Sequence, residues 1–104
     1  MATESGWVGY SSITRLELFG YPGLTDDEES ALITVLGELK EVDVSREVVD
    51  RAIQIRKQKA VKVPDAIIAA SALTMKAVLI TRNTDDFKHV DELTLLDPFS
   101  GRVK

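Results

Sequence analysis

The strongest constraint on the fold is an alanine-rich apolar segment, VPDAIIAASALTMKAVLIT, at residues 63–81. Residues 65–76 are apolar nearly all the way round a helix, which is typical of a helix with no face in water, and the alanines allow close approach to a sheet. The AVLIT that follows lacks polar alternation, as in parallel strands covered on both faces. The segment therefore predicts a buried helix leading directly into a buried strand.

The rest of the chain alternates between strand and helix patterns. Thr25 and Glu28 form a capping box that opens one helix, and Ser45 is placed as the N-cap of another. The predicted strands are residues 8–12, 41–44, 77–81 and 93–96. The predicted helices are residues 13–19, 25–39, 46–59 and 65–76. Such alternation predicts an α/β fold, a parallel sheet of about four short strands flanked by helices, in one domain spanning residues 1–104.

Composition excludes several classes of function. The chain has no cysteine, which rules out disulfides and thiolate zinc sites and suits the cytoplasm. No apolar run reaches the roughly 20 residues that cross a bilayer, so no membrane role is expected. A net charge of -4 argues against a broad electrostatic grip on nucleic acid. The run RKQKAVK at residues 56–62 carries four cations, as either a solvated helix end or a phosphate-facing rim.

Glu17 stands in an unexpected position. At about 100° per residue, it falls on the same face of its helix as Ile13, Leu16 and Gly20. A carboxylate turned toward a core is costly unless it is paired, hydrogen-bonded or bound to a metal. Two explanations for the position of Glu17 remain open. One is a salt bridge, for example to Arg56 or Arg82, and the other is a role in a metal or active site.

Two further acidic positions have competing explanations. Asp65 follows Pro64 in the first turn of the apolar helix, where it could simply cap free backbone amides. Asn83 follows a strand and could cap a short helix at residues 84–87, with Asp86 as its partner. However, helices of a doubly wound sheet begin at the carboxyl ends of the strands, where ligands bind. Glu17, Asp65 and the turn at residues 83–86 would then converge there as hard oxygen ligands for Mg or Mn.

Three segments carry a resemblance to a known family. SSITRLELFG, VPDAIIAASAL and LITRNTDDF, in this order and followed by LTLLDP, resemble the PIN domains of VapC-type toxins. The resemblance implies a three-layer PIN-like fold and a Mg- or Mn-dependent endoribonuclease with an acidic quartet. It places Glu17, Asp65 and Asp86, or Asn83 in place of Asp86, at the family's metal-binding positions.

One departure limits the expected activity. The family begins with a central apolar strand ending in D-T-N, whose aspartate is a principal metal ligand. MATESGWVG at residues 1–9 shows no such strand. We therefore expect an incomplete acidic site with weak or no nuclease activity. The alternative is a non-catalytic binding or structural module for RNA or an antitoxin-like protein. Exposed strand edges also favour a homo-oligomer, and a phospho-acceptor receiver domain is disfavoured because no acidic pair follows the first strand.

Overall fold

The structure is a computed structural model that describes residues 9–81, 84–97 and 102–103. Its helices are α1 (Ser12–Phe19), α2 (Asp26–Gly37), α3 (Arg46–Gln58), α4 (Val63–Thr74) and α5 (Thr84–Phe87). Its strands are β1 (Gly9–Ser11), β2 (Lys40–Val42), β3 (Leu79–Ile80), β4 (Leu95–Asp97) and β5 (Arg102–Val103). Within these ranges, no helix has the length and apolar character needed to cross a membrane.

The strands confirm the α/β fold and its parallel pairing, with one difference in arrangement. β1 pairs parallel with β2, and β3 pairs parallel with β4. The strands lie in two small sheets, β1-β2 and β3-β4-β5, where the sequence predicted one sheet of about four strands. β5 runs antiparallel to β4 and was not predicted. Strands of two or three residues give too weak a pattern for their sheet membership to be inferred from sequence.

Helix α4 forms the centre of the core, as the alanine-rich segment predicted. Ala66, Ala69, Ala70, Ser71 and Ala72 are all buried. α4 packs most extensively against α3, whose buried face consists of Val48, Ala52 and Ile55. The hydroxyl of Ser71 donates to the Ile67 carbonyl one turn earlier at 2.8 Å, so this polar side chain is satisfied within its own helix.

The predicted helix starts are confirmed by their hydrogen bonds. Thr25 and Glu28 form the reciprocal capping box of α2. The backbone amide of Val48 donates to the Ser45 hydroxyl at 3.2 Å at the start of α3. These bonds satisfy amides that the first turn of a helix leaves without partners. The helix ends that position the acidic residues are therefore encoded locally.

Helix α1 ends at Gly20, as predicted, because the chain passes close to the preceding turn. The Gly20 amide donates to the Leu16 carbonyl at 2.9 Å. A Cβ on Gly20 would lie 2.7 Å from that same oxygen, a distance at which the backbone would have to shift.

The predicted inner face of α1 is partly wrong, and α2 is exposed in the same way. Leu16, which was expected to face the core, is 66% exposed, and Glu17 beside it is also exposed. No described residue of either helix is fully buried. Only the start and end of α1, with Ile13 and Phe19 half-buried, lie against the rest of the protein. Periodicity identifies an apolar face but not whether another element covers it.

A polar cluster joins β1, α1 and β2 at their shared end. Glu41 accepts hydrogen bonds from Ser12 at 2.5 Å and from Tyr10 at 3.4 Å, and its carboxylate lies 3.0 Å from Nε of Arg15. These contacts hold the pKa of Glu41 below its usual value, with the Ser12 bond as the main cause. The cluster fixes the start of α1 relative to both strands.

The dense packing of α4 predicts an asymmetric response to added volume. Ala69→Leu should lower the free energy of unfolding by roughly 1–3 kcal/mol, because overpacking a filled core displaces its neighbours. The matched change Ala31→Leu, at an exposed position of α2, should alter stability by less than about 0.5 kcal/mol. Urea denaturation of both variants measures the difference. Equal stability of the two variants would contradict the close packing of α4.

Candidate active site

The central residue of the site is Asp65, in the first turn of α4. The helix has Lys62 as its N-cap residue, and Pro64 occupies a position in the first turn where a missing amide proton costs little. Asp65 is half-buried. Within the described part of the chain, its carboxylate makes no hydrogen bond or salt bridge. The simple capping interpretation of Asp65 therefore has no hydrogen bond to support it.

The surroundings of Asp65 disfavour its negative charge. Burial raises the pKa of the Asp65 carboxyl, the nearby Asp86 carboxylate raises it further, and Lys62 lowers it. Two carboxylates close enough to repel each other, one of them partly withdrawn from water, gain stability if a cation lies between them. The sequence prediction that Asp65 and Asp86 lie near each other is thus consistent with the structure.

Glu17 and Asp65 lie on the same cleft, whose volume is about 360 Å³. The cleft is bounded by β1, α1, α4 and β3, with Phe87 of α5 on its wall. Glu17 is exposed, so the expectation that its carboxylate is turned toward the core was wrong. Glu17 is assigned to the site because it lines the same cleft as Asp65. Neither of the two described ion pairs involves Glu17, and Arg56 donates from Nε to the Val61 carbonyl.

Asp86 lies on a neighbouring cleft of about 370 Å³. It is lined by the segment at residues 58–62 together with Asp85, Asp86 and His89. Asp65 lines this cleft as well, so it stands between the two depressions. Asp85 is drawn toward Lys88, with 3.8 Å between its carboxylate and the ammonium group. Asn83, the alternative to Asp86, lies outside the described residues.

The three predicted ligands Glu17, Asp65 and Asp86 do not form one compact cluster. Across residues 9–81, 84–97 and 102–103, no group of three or more His, Asp or Glu side chains is arranged to hold a metal ion. The described residues place Asp65 and Asp86 on one cleft, and Asp65 and Glu17 on the other. Mg is commonly held by one or two carboxylates together with waters and substrate phosphates, so this oxygen donor set fits such an ion.

Sequence reasoning did not identify Ser11 and Thr14 as residues of the cleft that Glu17 and Asp65 line. Thr14 and Ser11 line it together with Glu17. The Ser11 hydroxyl accepts the Ile13 amide at 3.2 Å as the N-cap of α1. Thr14 lies three positions before Glu17 and therefore on the same side of the helix, a spacing that was available in the sequence.

Comparisons with known proteins show the family and the fold. The family profile described as the PIN domain matches residues 10–93. Among curated proteins, none matches the sequence.

Solved structures give close matches to the fold. The chain is 30% identical to a protein in a toxin-antitoxin complex from Klebsiella pneumoniae, with a TM-score of 0.71, covering 86% of this chain and 72% of that one. It is 28% identical to a chain of VapBC2 from Rickettsia felis bound to a promoter DNA fragment, with a TM-score of 0.74 and coverage of 86% and 73%. VapBC-1 from nontypeable Haemophilus influenzae, at 24% identity, TM-score 0.72 and coverage of 88% and 74%, shares the fold.

The matched region, residues 10–93, includes α1 with Glu17, the buried helix α4 with Asp65, and α5 with Asp86. It thus spans every element that builds the two clefts. On this evidence the chain is a member of the PIN domain family.

Proposed function

We propose that this protein acts on RNA as a PIN-domain phosphodiesterase related to VapC-type endoribonucleases, with weak or no activity from the acidic residues described. The observation that carries the proposal is Asp65, a half-buried carboxylate with a raised pKa, no described partner, and Asp86 beside it. Such a carboxylate adds nothing evident to folding, and perturbed acids in a cleft are typical of functional sites. We also place the activity in the cytoplasm, which the absence of cysteine supports.

The roles of the residues follow from their positions. Asp65 and Asp86 would hold Mg or Mn, and a bound ion of this kind polarises a phosphoryl oxygen and lowers the pKa of a coordinated water. Asp65 is fixed by the first turn of α4, so its carboxylate is held at the junction of the two clefts. Glu17 faces the same space from α1 and would accept a proton or hydrogen bond from the attacking water.

Weak activity follows from the small number of converging carboxylates. The two carboxylates of Asp65 and Asp86 leave most of the coordination shell to water, so the ion is bound loosely and positioned imprecisely. Glu17 is exposed on α1 rather than directed at Asp86 from a packed position. Hydrolysis depends on accurate placement of water and phosphate, so we expect slow turnover.

The proposal predicts a specific pattern of RNA cleavage. The protein should cut single-stranded RNA slowly with Mg or Mn, and Asp65→Asn should abolish this cleavage by removing the central ligand. Asp50→Asn, which removes the same charge from an exposed position of α3, should keep it. Gel analysis of end-labelled RNA, with EDTA as the blank, provides the measurement. Cleavage by Asp65→Asn at the wild-type rate would refute the assigned role.

Two other outcomes of this assay are also informative. Fast cleavage that depends on Asp65 would show that another group completes the site, which contradicts the weak-activity proposal. No cleavage by a folded wild-type protein would favour the non-catalytic binding module.

Asp65 should also lower stability at neutral pH. A raised folded-state pKa means that the folded protein binds the proton more tightly than the unfolded chain. Ionisation therefore costs stability, and the cost grows as pH rises from the ordinary aspartate value of 3.8 through the raised folded value. Asp65→Asn should raise the melting temperature at about pH 7, and the gain should shrink toward about pH 3.

Melting curves without metal test this pH dependence. Asp50→Asn corrects for the general loss of one negative charge. A lower melting temperature for Asp65→Asn at neutral pH would indicate that the carboxylate makes a stabilising contact and is not held for a ligand.

A second candidate function, partner binding, is favoured by a separate surface. An apolar groove of about 540 Å³ lies between α1 and α2, and its rim carries Glu17 and Glu28. Its apolar lining is Leu18, Tyr21, Leu24, Ala31, Leu32 and Val35. The similar structure from Klebsiella pneumoniae is a toxin-antitoxin complex. We propose that an antitoxin-like protein binds in this groove. We also propose that the chain self-associates through its exposed apolar surface.

Matched substitutions on α2 test the groove. Val35 lines it and is 57% exposed, whereas Ile33 is 58% exposed on the same helix but does not line it. Val35→Glu should weaken binding of an antitoxin-like protein by about tenfold or more, since it buries a charge in an apolar contact. Ile33→Glu should leave binding unchanged. Calorimetry in EDTA separates this effect from metal and RNA binding, and equal losses in both variants would exclude the groove.

A further inference from the structure

The segment at residues 58–62, which we call the interhelix loop, joins α3 to α4 and is held in a defined shape. Lys59 is the C-cap residue of α3, and Lys62 is the N-cap residue of α4. The Arg56 side chain donates to the Val61 carbonyl at 3.1 Å, and the Val61 amide donates to the Lys59 carbonyl at 3.0 Å. The loop backbone is thus fixed from both sides, which fixes the points where the two lysine side chains begin.

The fold makes little use of these two lysine charges. Neither ammonium group forms a salt bridge or hydrogen bond with any residue that the structure describes. Lys62 also lies at the positive end of the α4 dipole, where a cation is disfavoured. Lys59 suits the end of α3, but a helix end alone does not explain a second cation three residues later. The two charges are therefore available to bind a ligand.

The two lysines lie beside the acidic residues of the candidate site. Both line the cleft that Asp65, Asp86 and His89 also line. Lys62 is close enough to Asp65 to lower its pKa, against the larger effects of burial and Asp86. The cleft thus carries two cations beside its acidic residues, and Asp65 also lines the cleft of Glu17.

We propose that Lys59 and Lys62 bind a backbone phosphate of single-stranded RNA next to the phosphate held at Asp65. The inference rests on the proposed function and names how the substrate lies: the strand passes from the Glu17 cleft over Asp65 into the cleft of the interhelix loop. A net charge of -4 argues against a broad electrostatic grip, so the proposed contact with RNA is local and involves few phosphates. A local grip of this kind sets the register of the strand rather than a high affinity.

Equilibrium binding in EDTA tests the inference without cleavage. Fluorescence anisotropy of a labelled single-stranded RNA, measured over a range of KCl concentrations, gives both the affinity and its salt dependence. Lys59→Gln with Lys62→Gln should weaken binding by about tenfold and reduce the slope of log K against log salt by about 0.7, the contribution of one phosphate contact to a single strand. Circular dichroism melting confirms that the variant is folded.

Lys57→Gln is the matched control. Lys57 belongs to the same basic run and is exposed in the last turn of α3, but it does not line the cleft. It should keep the wild-type slope. If the double variant and Lys57→Gln show the same affinity and slope, the two cleft lysines have no special role and the inference is wrong. Inorganic phosphate is the second probe: displacement of RNA by equimolar phosphate would assign a simple anion site and would also overturn the inference.

The outcomes separate this inference from the proposed function. Metal-dependent cleavage that needs Asp65, together with unchanged RNA binding by the double lysine variant, would remove the inference and keep the function. Loss of RNA binding in the double variant, with no cleavage by the wild-type protein, would keep the inference and remove the function.

Discussion

The close packing of α4 against α3 is the contact on which the rest of the structure depends. Its buried residues are alanines and one serine, side chains so short that the helix backbone approaches its neighbours closely. Little freedom remains for the helix to slide or rotate, because a filled core resists even small changes in volume. The first turn of α4 is placed with the same accuracy. Asp65 therefore owes its position to a packing constraint that lies one to two turns further along the helix.

This packing places a carboxylate where the fold alone would not favour one. Asp65 is half-buried beside Asp86, and both burial and the second acid raise its pKa. A carboxylate whose surroundings disfavour its charge is more readily explained by ligand binding than by a contribution to stability. The same residue borders two clefts of similar volume, one with Glu17 and one with the interhelix loop. One side chain, that of Asp65, is therefore shared by both clefts.

The N-terminal helices have a different character from α3 and α4. No described residue of α1 or α2 is fully buried, and several of their large apolar side chains are more than half exposed. The Glu41 cluster secures the start of α1 to both strands of the β1-β2 sheet, while the groove between α1 and α2 remains open. Apolar surface of this kind is typical of sites that a partner covers. The tightly packed helices α3 and α4 position Asp65, whereas α1 and α2 carry Glu17 and leave an apolar groove open.

The sequence by itself determined the elements with strong local signals: the buried alanine helix, the capping box at Thr25, the N-cap at Ser45 and the end of α1 at Gly20. It also identified the family, because three ordered segments place residues of defined chemistry at helix starts. Only the tertiary structure decided which apolar faces are covered, so Glu17 and Leu16 were assigned inward from periodicity and lie exposed. Periodicity gives a direction around one helix, whereas burial depends on a second element. For the same reason, only the fold could place Lys59 and Lys62 on the same cleft as Asp86, since charges distant in sequence meet through packing alone.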